Sequence, residues 1–246
     1  MAAKTKDIEE MLDYLGLCEM SGKLDQMVRL PEYQGYTPVQ FLKELVSTQY
    51  LYARNHNFET RIRLSKIRKQ DIPLEKLHTG NGRLYPDGTI DQLQSFEFIN
   101  DGLNVAVFGE SNAGKSYFLK GFGIEACLRN IRTLFVDYLE MMDDLMEKKL
   151  RDNGDYRKRL RYYAKMPLLI IDDFAISRLD DSCISILFEL IKRRDDNSVS
   201  TMISTQYSPA EWKEHLCTDQ SDFAKSDYIR GRLIDKGYTV VIELAK

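Results

Sequence analysis

Leu103-Asn104-Val105-Ala106-Val107-Phe108-Gly109-Glu110-Ser111-Asn112-Ala113-Gly114-Lys115-Ser116 is the stretch that decides the fold. Its first six residues form a short apolar run, a strand candidate. The next eight match GxxxxGK[ST], a loop whose backbone N–H groups, with the N-terminus of the helix that follows, surround phosphate oxygens. Gly109 and Gly114 permit the backbone path, with Glu110, Ser111, Asn112 and Ala113 between them and Tyr117 at the exit. Lys115 is placed to reach the β and γ phosphates, and the Ser116 hydroxyl to coordinate Mg2+. A surface glycine turn could match the same pattern. Here the motif lies between a strand and a helix running to about Arg129, the context that phosphate binding needs.

Toward the C-terminus, strands and helices alternate. Thr133–Tyr138 reads as a second strand, Leu139–Lys165 as a helical stretch, and Leu168–Ile171 as a third strand. A helix over Ser182–Arg194, a strand over Val199–Thr205, helical turns around Trp212 and Tyr228–Asp235, and a last strand over Tyr238–Leu244 complete the series. This order predicts an α/β fold with a mostly parallel five-stranded sheet covered on both faces, ligands binding at the strands' C-terminal ends. The third strand runs into Asp172-Asp173. Asp172 is placed to hold Mg2+ through water, and Asp173 to orient or deprotonate an attacking water. Two adjacent carboxylates favour a hydrolase over a small-molecule kinase. A third polar group belongs near the γ-phosphate, for which Gln206 is the candidate and Thr205 the runner-up; either could instead cap the helix at Pro209–Trp212.

Residues 1–70 read as a small all-helical domain. Ile8, Met11, Leu12 and Leu15 recur at helical spacing before Gly16, and Leu24, Met27 and Val28 mark a second helix. Thr37-Pro38-Val39-Gln40 combines an N-cap threonine, a proline at the first helical position and a glutamine three after the cap. One long helix or two abutting ones follow, to about Lys69. Residues 71–101 are rich in turn signals and form a connector, docked by Leu93, Phe96, Phe98 and Ile99; residues 102–246 form the nucleotide-binding domain.

Composition narrows the function classes. Four cysteines, Cys18, Cys127, Cys183 and Cys217, lie far apart and fit neither a zinc site nor a secreted disulfide framework. With a polar N-terminus and no apolar run near the ~20 residues that span a bilayer, the expectation is a cytoplasmic protein without membrane contact. The net charge of −3 does not announce a nucleic-acid binder, but the charges segregate. Arg61, Arg63, Lys66, Arg68 and Lys69 form one basic cluster. Lys148, Lys149, Arg151, Arg157, Lys158, Arg159, Arg161 and Lys165 form another, interleaved with Tyr156, Tyr162 and Tyr163. Cations alternating with aromatics fit phosphate contact and stacking, and equally a solvated helix face.

With these residues in hand, the chain resembles the IstB/DnaC-like AAA+ ATPases, most closely the IstB-type helper ATPases of insertion-sequence transposons. Ala53-Arg54-Asn55 with Arg61-Ile62-Arg63-Leu64-Ser65-Lys66 is similar to the family's arginine-rich helix, and Ile171-Asp172-Asp173-Phe174 to its carboxylate strand. Leu187-Phe188-Glu189-Leu190-Ile191 to Arg194, Ser204-Thr205-Gln206-Tyr207-Ser208-Pro209 with Trp212, and Ile229-Arg230-Gly231-Arg232-Leu233 extend the likeness. The resemblance implies a helper ATPase that assembles on DNA in its ATP form, as a homo-oligomer with ATP at subunit interfaces, and cooperates with a transposase. It implies that Arg232 or Arg230 reaches a neighbouring subunit's nucleotide, although either could make an ordinary surface ion pair. It also places the second basic cluster, with Arg61 and Arg63 as a further candidate, against DNA, double-stranded and with weak sequence preference. Gln206 stands where the family has asparagine and Gly231 where it has aspartate, and Glu243-Leu244-Ala245-Lys246 does not match the tail that the resemblance leads one to expect. A loader of a replicative helicase onto single strands, and a scaffold that binds ATP without consuming it, are the competing expectations.

Overall fold

The computed structural model describes residues 2–68, 77, 83–86 and 88–244. The chain divides into two compact units, Met1–Thr60 and Arg61–Lys246.

The first unit is helical: α1 (Ala2–Tyr14), α2 (Cys18–Arg29) and most of α3 (Pro38–Leu64). Gly16 leaves α1 at φ 73, a left-handed value that glycine adopts without strain. The start of α3 is the expected capping box. Thr37 N–H donates to Gln40 Oε1 at 2.9 Å, and Gln40 N–H donates to Thr37 Oγ1 at 3.3 Å. With no glycine or proline after Pro38, α3 runs as one helix of 27 residues. The core of this unit is small: Leu24, Met27 and Leu45, with Leu12, Met20, Tyr33 and Phe41 against them. Met11, Leu15, Leu42 and Val46, apolar at the same helical spacing, are exposed.

The second unit opens with β1 (Arg83–Leu84), α4 (Thr89–Gln94) and α5 (Glu97–Asn100). There follow β2 (Val105–Phe108), α6 (Lys115–Leu128), β3 (Thr133–Asp137), α7 (Tyr138–Arg151), α8 (Asn153–Ala164), β4 (Leu168–Asp172), α9 (Asp181–Asp196) and β5 (Ser200–Thr205). It closes with α10 (Trp212–Leu216), α11 (Phe223–Leu233), β6 (Tyr238–Val241) and β7 (Glu243–Leu244). Five strands form one all-parallel sheet in the order β3-β4-β5-β2-β6. Val105, Val107, Leu168, Ile170, Met202 and Val240 face α6 and the connector residues Leu93, Phe96 and Phe98. Ala106, Phe108, Leu134, Val136, Leu169, Ile171 and Ile203 face the other way, onto α7 to α11. Successive strand residues point to opposite faces and both faces are covered, which is why β2 and most of β4 read as unbroken apolar runs.

Three boundaries differ from the sequence expectation. The helical stretch 139–165 is two helices, because Asp152 leaves α7 in extended geometry and its carboxylate accepts from Gly154 N–H and Asp155 N–H to cap α8. The last strand breaks at Ile242: Tyr238–Val241 pairs parallel with β2, and Glu243–Leu244 turns away to pair antiparallel with β1. Arg61–Ile67 packs with the second unit rather than ending a helical domain at residue 70. Ser65 C=O accepts from Phe135 N–H of edge strand β3 at 2.8 Å, and Ile67 is buried over Gly123, where an added Cβ would strike the Ile67 and Ile170 side chains. Lys69, the turn signals at Ile72-Pro73 and Gly80-Asn81-Gly82, Asp87 and the last two residues lie outside the described residues.

Candidate nucleotide site

The order of the strands builds the site. β5 lies between β2 and β4, so the loop after β2, the carboxylates after β4 and the polar end of β5 meet at one edge of the sheet. They line a cleft of about 340 Å³ with Ser111, Asn112, Gly114, Lys115, Ser116, Tyr117, Asp173 and Gln206 in its wall. The glycines are required by geometry. Gly109, at φ 158, packs so closely on the strand end that an added Cβ would sit 2.6 Å from Ile242 O. Gly114, at φ 97, is the N-cap of α6 and lets the loop turn into the helix. The first N–H groups of α6 have no intrahelical acceptor and carry the positive end of the helix dipole, so the cleft suits an anion.

Lys115 is buried, and its Nζ donates to Gly109 O at 2.9 Å and Glu110 O at 2.8 Å. Burial lowers its pKa, opposed by the nearby carboxylates of Asp173 and Asp172. Burial also raises the pKa of Asp173, the Asp172 charge adds to that, and Lys115 opposes it. Asp173 has φ 52, left-handed for a non-glycine residue. Its backbone is held there by Ser204: the Ser204 hydroxyl accepts from Asp173 N–H at 2.9 Å and donates to Asp172 Oδ1, while Ser204 O accepts from Phe174 N–H at 2.7 Å. One serine on β5 thus anchors the Asp172 carboxylate and the Asp173 backbone at the end of β4. Its sequence signal is a polar residue inside a buried strand, just ahead of Thr205 and Gln206.

Of those two, Gln206 lines the cleft, whereas Thr205 is fully buried and accepts from Tyr207 N–H at 3.2 Å. Neither caps α10, which starts without a side-chain cap; the turn before it is closed by Ser208, whose N–H and Oγ each lie 2.7 Å from Glu211 Oε2. Arg83, from the connector, is in the cleft wall and carried no sequence signal.

The remaining candidates lie elsewhere. Arg230 pairs with Asp235 at 3.1 Å, and Arg232 pairs with Asp195 at 2.8 Å and lies over the Tyr228 ring. Arg232 O accepts from the side chain of Asn104, the residue before β2, so this end of α11 sits at the sheet edge opposite the nucleotide cleft. The basic cluster is on α7 and α8. Arg159 pairs with Asp144, as does Lys148 at 3.5 Å; Arg151 pairs with Glu147, Lys158 with Asp155, and Lys149 lies over Tyr156. Arg157, Arg161 and Lys165 are exposed, four residues apart. Tyr156 and Tyr163 are core residues, whereas Tyr162 is partly exposed. Arg63 is exposed, but Arg61 turns inward, its Nε buried. Among the described residues no cluster of three or more His, Cys, Asp or Glu side chains could hold a metal ion by itself. A cation here needs the nucleotide's own oxygens beside Ser116 and Asp172, the arrangement that Mg2+ accepts. No helix among them is long and apolar enough to cross a membrane.

A five-stranded parallel sheet with a glycine loop, an invading lysine and a carboxylate pair at one edge is a P-loop nucleotide-binding domain of the AAA+ class. Solved structures share this fold: DnaI, at TM-score 0.57 and 20% identity over 69% of this chain and 90% of that one, and the DnaC helicase loader, at TM-score 0.52 and 20% identity over 69% and 96%. The chain belongs to the IstB-like ATP binding protein family, whose model matches residues 10–243. One relative, from Sinorhizobium fredii and named as an insertion sequence ATP-binding protein, is 25% identical over 93% of this chain and 89% of its own length.

Proposed function

We propose that this chain is an ATP-hydrolysing helper of DNA transposition that assembles on DNA through subunit interfaces containing ATP. The observation that carries the ATPase reading is the convergence of Lys115, Ser116, Asp173 and Gln206 on a single cleft beneath the free N-terminus of α6. In this reading the Gly109–Ser116 backbone wraps the phosphates, and Lys115 leaves its loop carbonyls to meet the β and γ groups. Ser116 and Asp172 hold Mg2+, which when bound offsets phosphate charge. Asp173 orients the attacking water and takes its proton. Burial and the neighbouring Asp172 charge raise its pKa, which makes it a better base than an exposed aspartate. Gln206 contacts the γ-phosphate. Arg232, with Arg230 as the alternative, serves a neighbouring subunit's site, since its own site is at the other edge of the sheet.

The DNA and transposase parts rest on the family and on relatives named for insertion sequences. DNA contact is assigned to α7 and α8, with Arg63 as a further contact. Lys115→Ala is expected to abolish ATP binding in equilibrium titration. Asp173→Asn should bind ATP as the parent chain does and release phosphate at least ~100-fold more slowly; equal loss of binding and turnover would contradict its role. ATP should raise the mass seen by light scattering on duplex DNA. Preference for single strands would favour a helicase loader instead, and tight ATP binding without phosphate release would favour a scaffold.

A further inference from the structure

Among the described residues, Arg83 is the one cation in the cleft wall that comes from outside the phosphate loop and its helix. It belongs to a two-residue strand in the connector, yet its position is closely determined. Arg83 pairs with Leu244, and Leu84 with Glu243, in an antiparallel ladder. That ladder continues from Ile242, whose N–H donates to Phe108 O at 2.8 Å and whose carbonyl packs on Gly109. The strand leading into the phosphate loop and the strand carrying Arg83 are therefore tied to the same chain segment.

The side chain then lies across the mouth of α6. Its guanidinium is 5.1 Å from the centre of the Tyr117 ring. An added Cβ on Gly114 would meet its Cδ at 2.9 Å and Cζ at 3.1 Å, so the arginine lies directly over the last glycine of the loop. Among the described residues no carboxylate pairs with Arg83. A guanidinium held over a ring beside Gly114, the residue that opens α6, is a fork available to phosphate oxygens bound at the helix start. Lys115 comes from inside the loop and is placed for the β and γ groups. Arg83 comes from above Gly114 and Tyr117, where the helix N–H groups meet the inner phosphates.

We propose that Arg83 binds the α- and β-phosphates of the chain's own nucleotide, and that the β1–β7 ladder is the splint that holds it there. This rests on the ATP site above. Its consequence is that Arg83 grips ADP and ATP alike and does not report on the γ-phosphate.

The test is equilibrium titration of the full chain with fluorescent ADP and ATP analogues in the presence of Mg2+. Arg83→Ala and Arg83→Gln, the latter keeping the stem over Tyr117, are expected to weaken both nucleotides by the same factor, about tenfold to a hundredfold. Arg83→Lys should recover part of that loss, since it restores charge without the fork. The unliganded thermal midpoint should not move. Unchanged affinities overturn the proposal, as does loss of ATP without loss of ADP, or an affinity loss accompanied by a lowered midpoint in both variants. If the parent chain binds neither nucleotide, or Lys115→Ala binds both normally, the ATP site itself is wrong, a result distinct from failure of Arg83.

Discussion

Ser204 and Arg194 show how much of this molecule depends on single side chains that do no chemistry. Ser204 gives Asp172 a hydrogen bond and holds Asp173 in a left-handed conformation. Ser204→Ala removes both hydrogen bonds without disturbing the apolar sheet. It should lower turnover by about 10–100-fold while ATP affinity changes much less, measurable as a kcat loss at unchanged nucleotide binding. Arg194 is fully buried with no carboxylate partner among the described residues, and burial pulls its pKa down to about 9, so it is still a cation at neutral pH. It donates to Tyr163 O, Met166 O, Ser200 O and Thr201 Oγ1, joining the end of α8, the start of β4, and β5 to α9. Arg194→Met leaves those acceptors dry and unpaired. A loss on the order of 3 kcal/mol in denaturant unfolding is expected. Asp173→Asn should move the other way. Since Asp173 titrates above its ordinary value, its folded-state penalty is absent at acid pH and grows as pH rises through that raised pKa. The asparagine variant should thus have the higher unliganded melting point at neutral pH, and the difference should vanish below about pH 4.

At the scale of elements, α7 and α8 sort their cations in a way that a count of lysines and arginines cannot. Asp144 on α7 reaches across to Arg159 of α8, and Lys148, Arg151 and Lys158 meet carboxylates on their own helices. That leaves Arg157 and Arg161 on α8 and Lys165 just past its end as an exposed stripe, with no ion pair among the described residues. If α8 binds DNA, replacing these three by alanine should reduce the slope of log affinity against log salt by about 0.9 for each phosphate no longer neutralised. Replacing Arg151 and Lys158 should change it little. An unchanged slope in the triple variant would remove α8 from the DNA surface.

At the scale of the whole molecule, the nucleotide cleft and Arg232 occupy opposite edges of one sheet. If Arg232 serves a nucleotide as proposed, that nucleotide must lie in another copy of the chain. Arg232→Ala should therefore keep ATP affinity and lose turnover, as should Asp173→Asn. Mixing the two inactive variants should restore phosphate release, because some interfaces then combine an intact carboxylate pair with an intact arginine. No recovery on mixing would sink the interface role.

Much of this was legible in order along the chain. Gly109–Ser116 and Asp172-Asp173 announce phosphate chemistry because few backbone paths wrap an anion, and alternating apolar runs announce a sheet covered on both faces. Thr37 to Gln40 specify a helix start, since capping is local. What the tertiary structure decided is everything that depends on strand order and on the meeting of distant segments. That β5 falls between β2 and β4 places Ser204 on the carboxylates. That Glu243–Leu244 leaves the sheet to pair with β1 puts Arg83 over Gly114. The physical reason is range: propensity, caps and periodicity act within a few residues, whereas a hydrogen bond from residue 204 to residue 172 exists only after the core has closed.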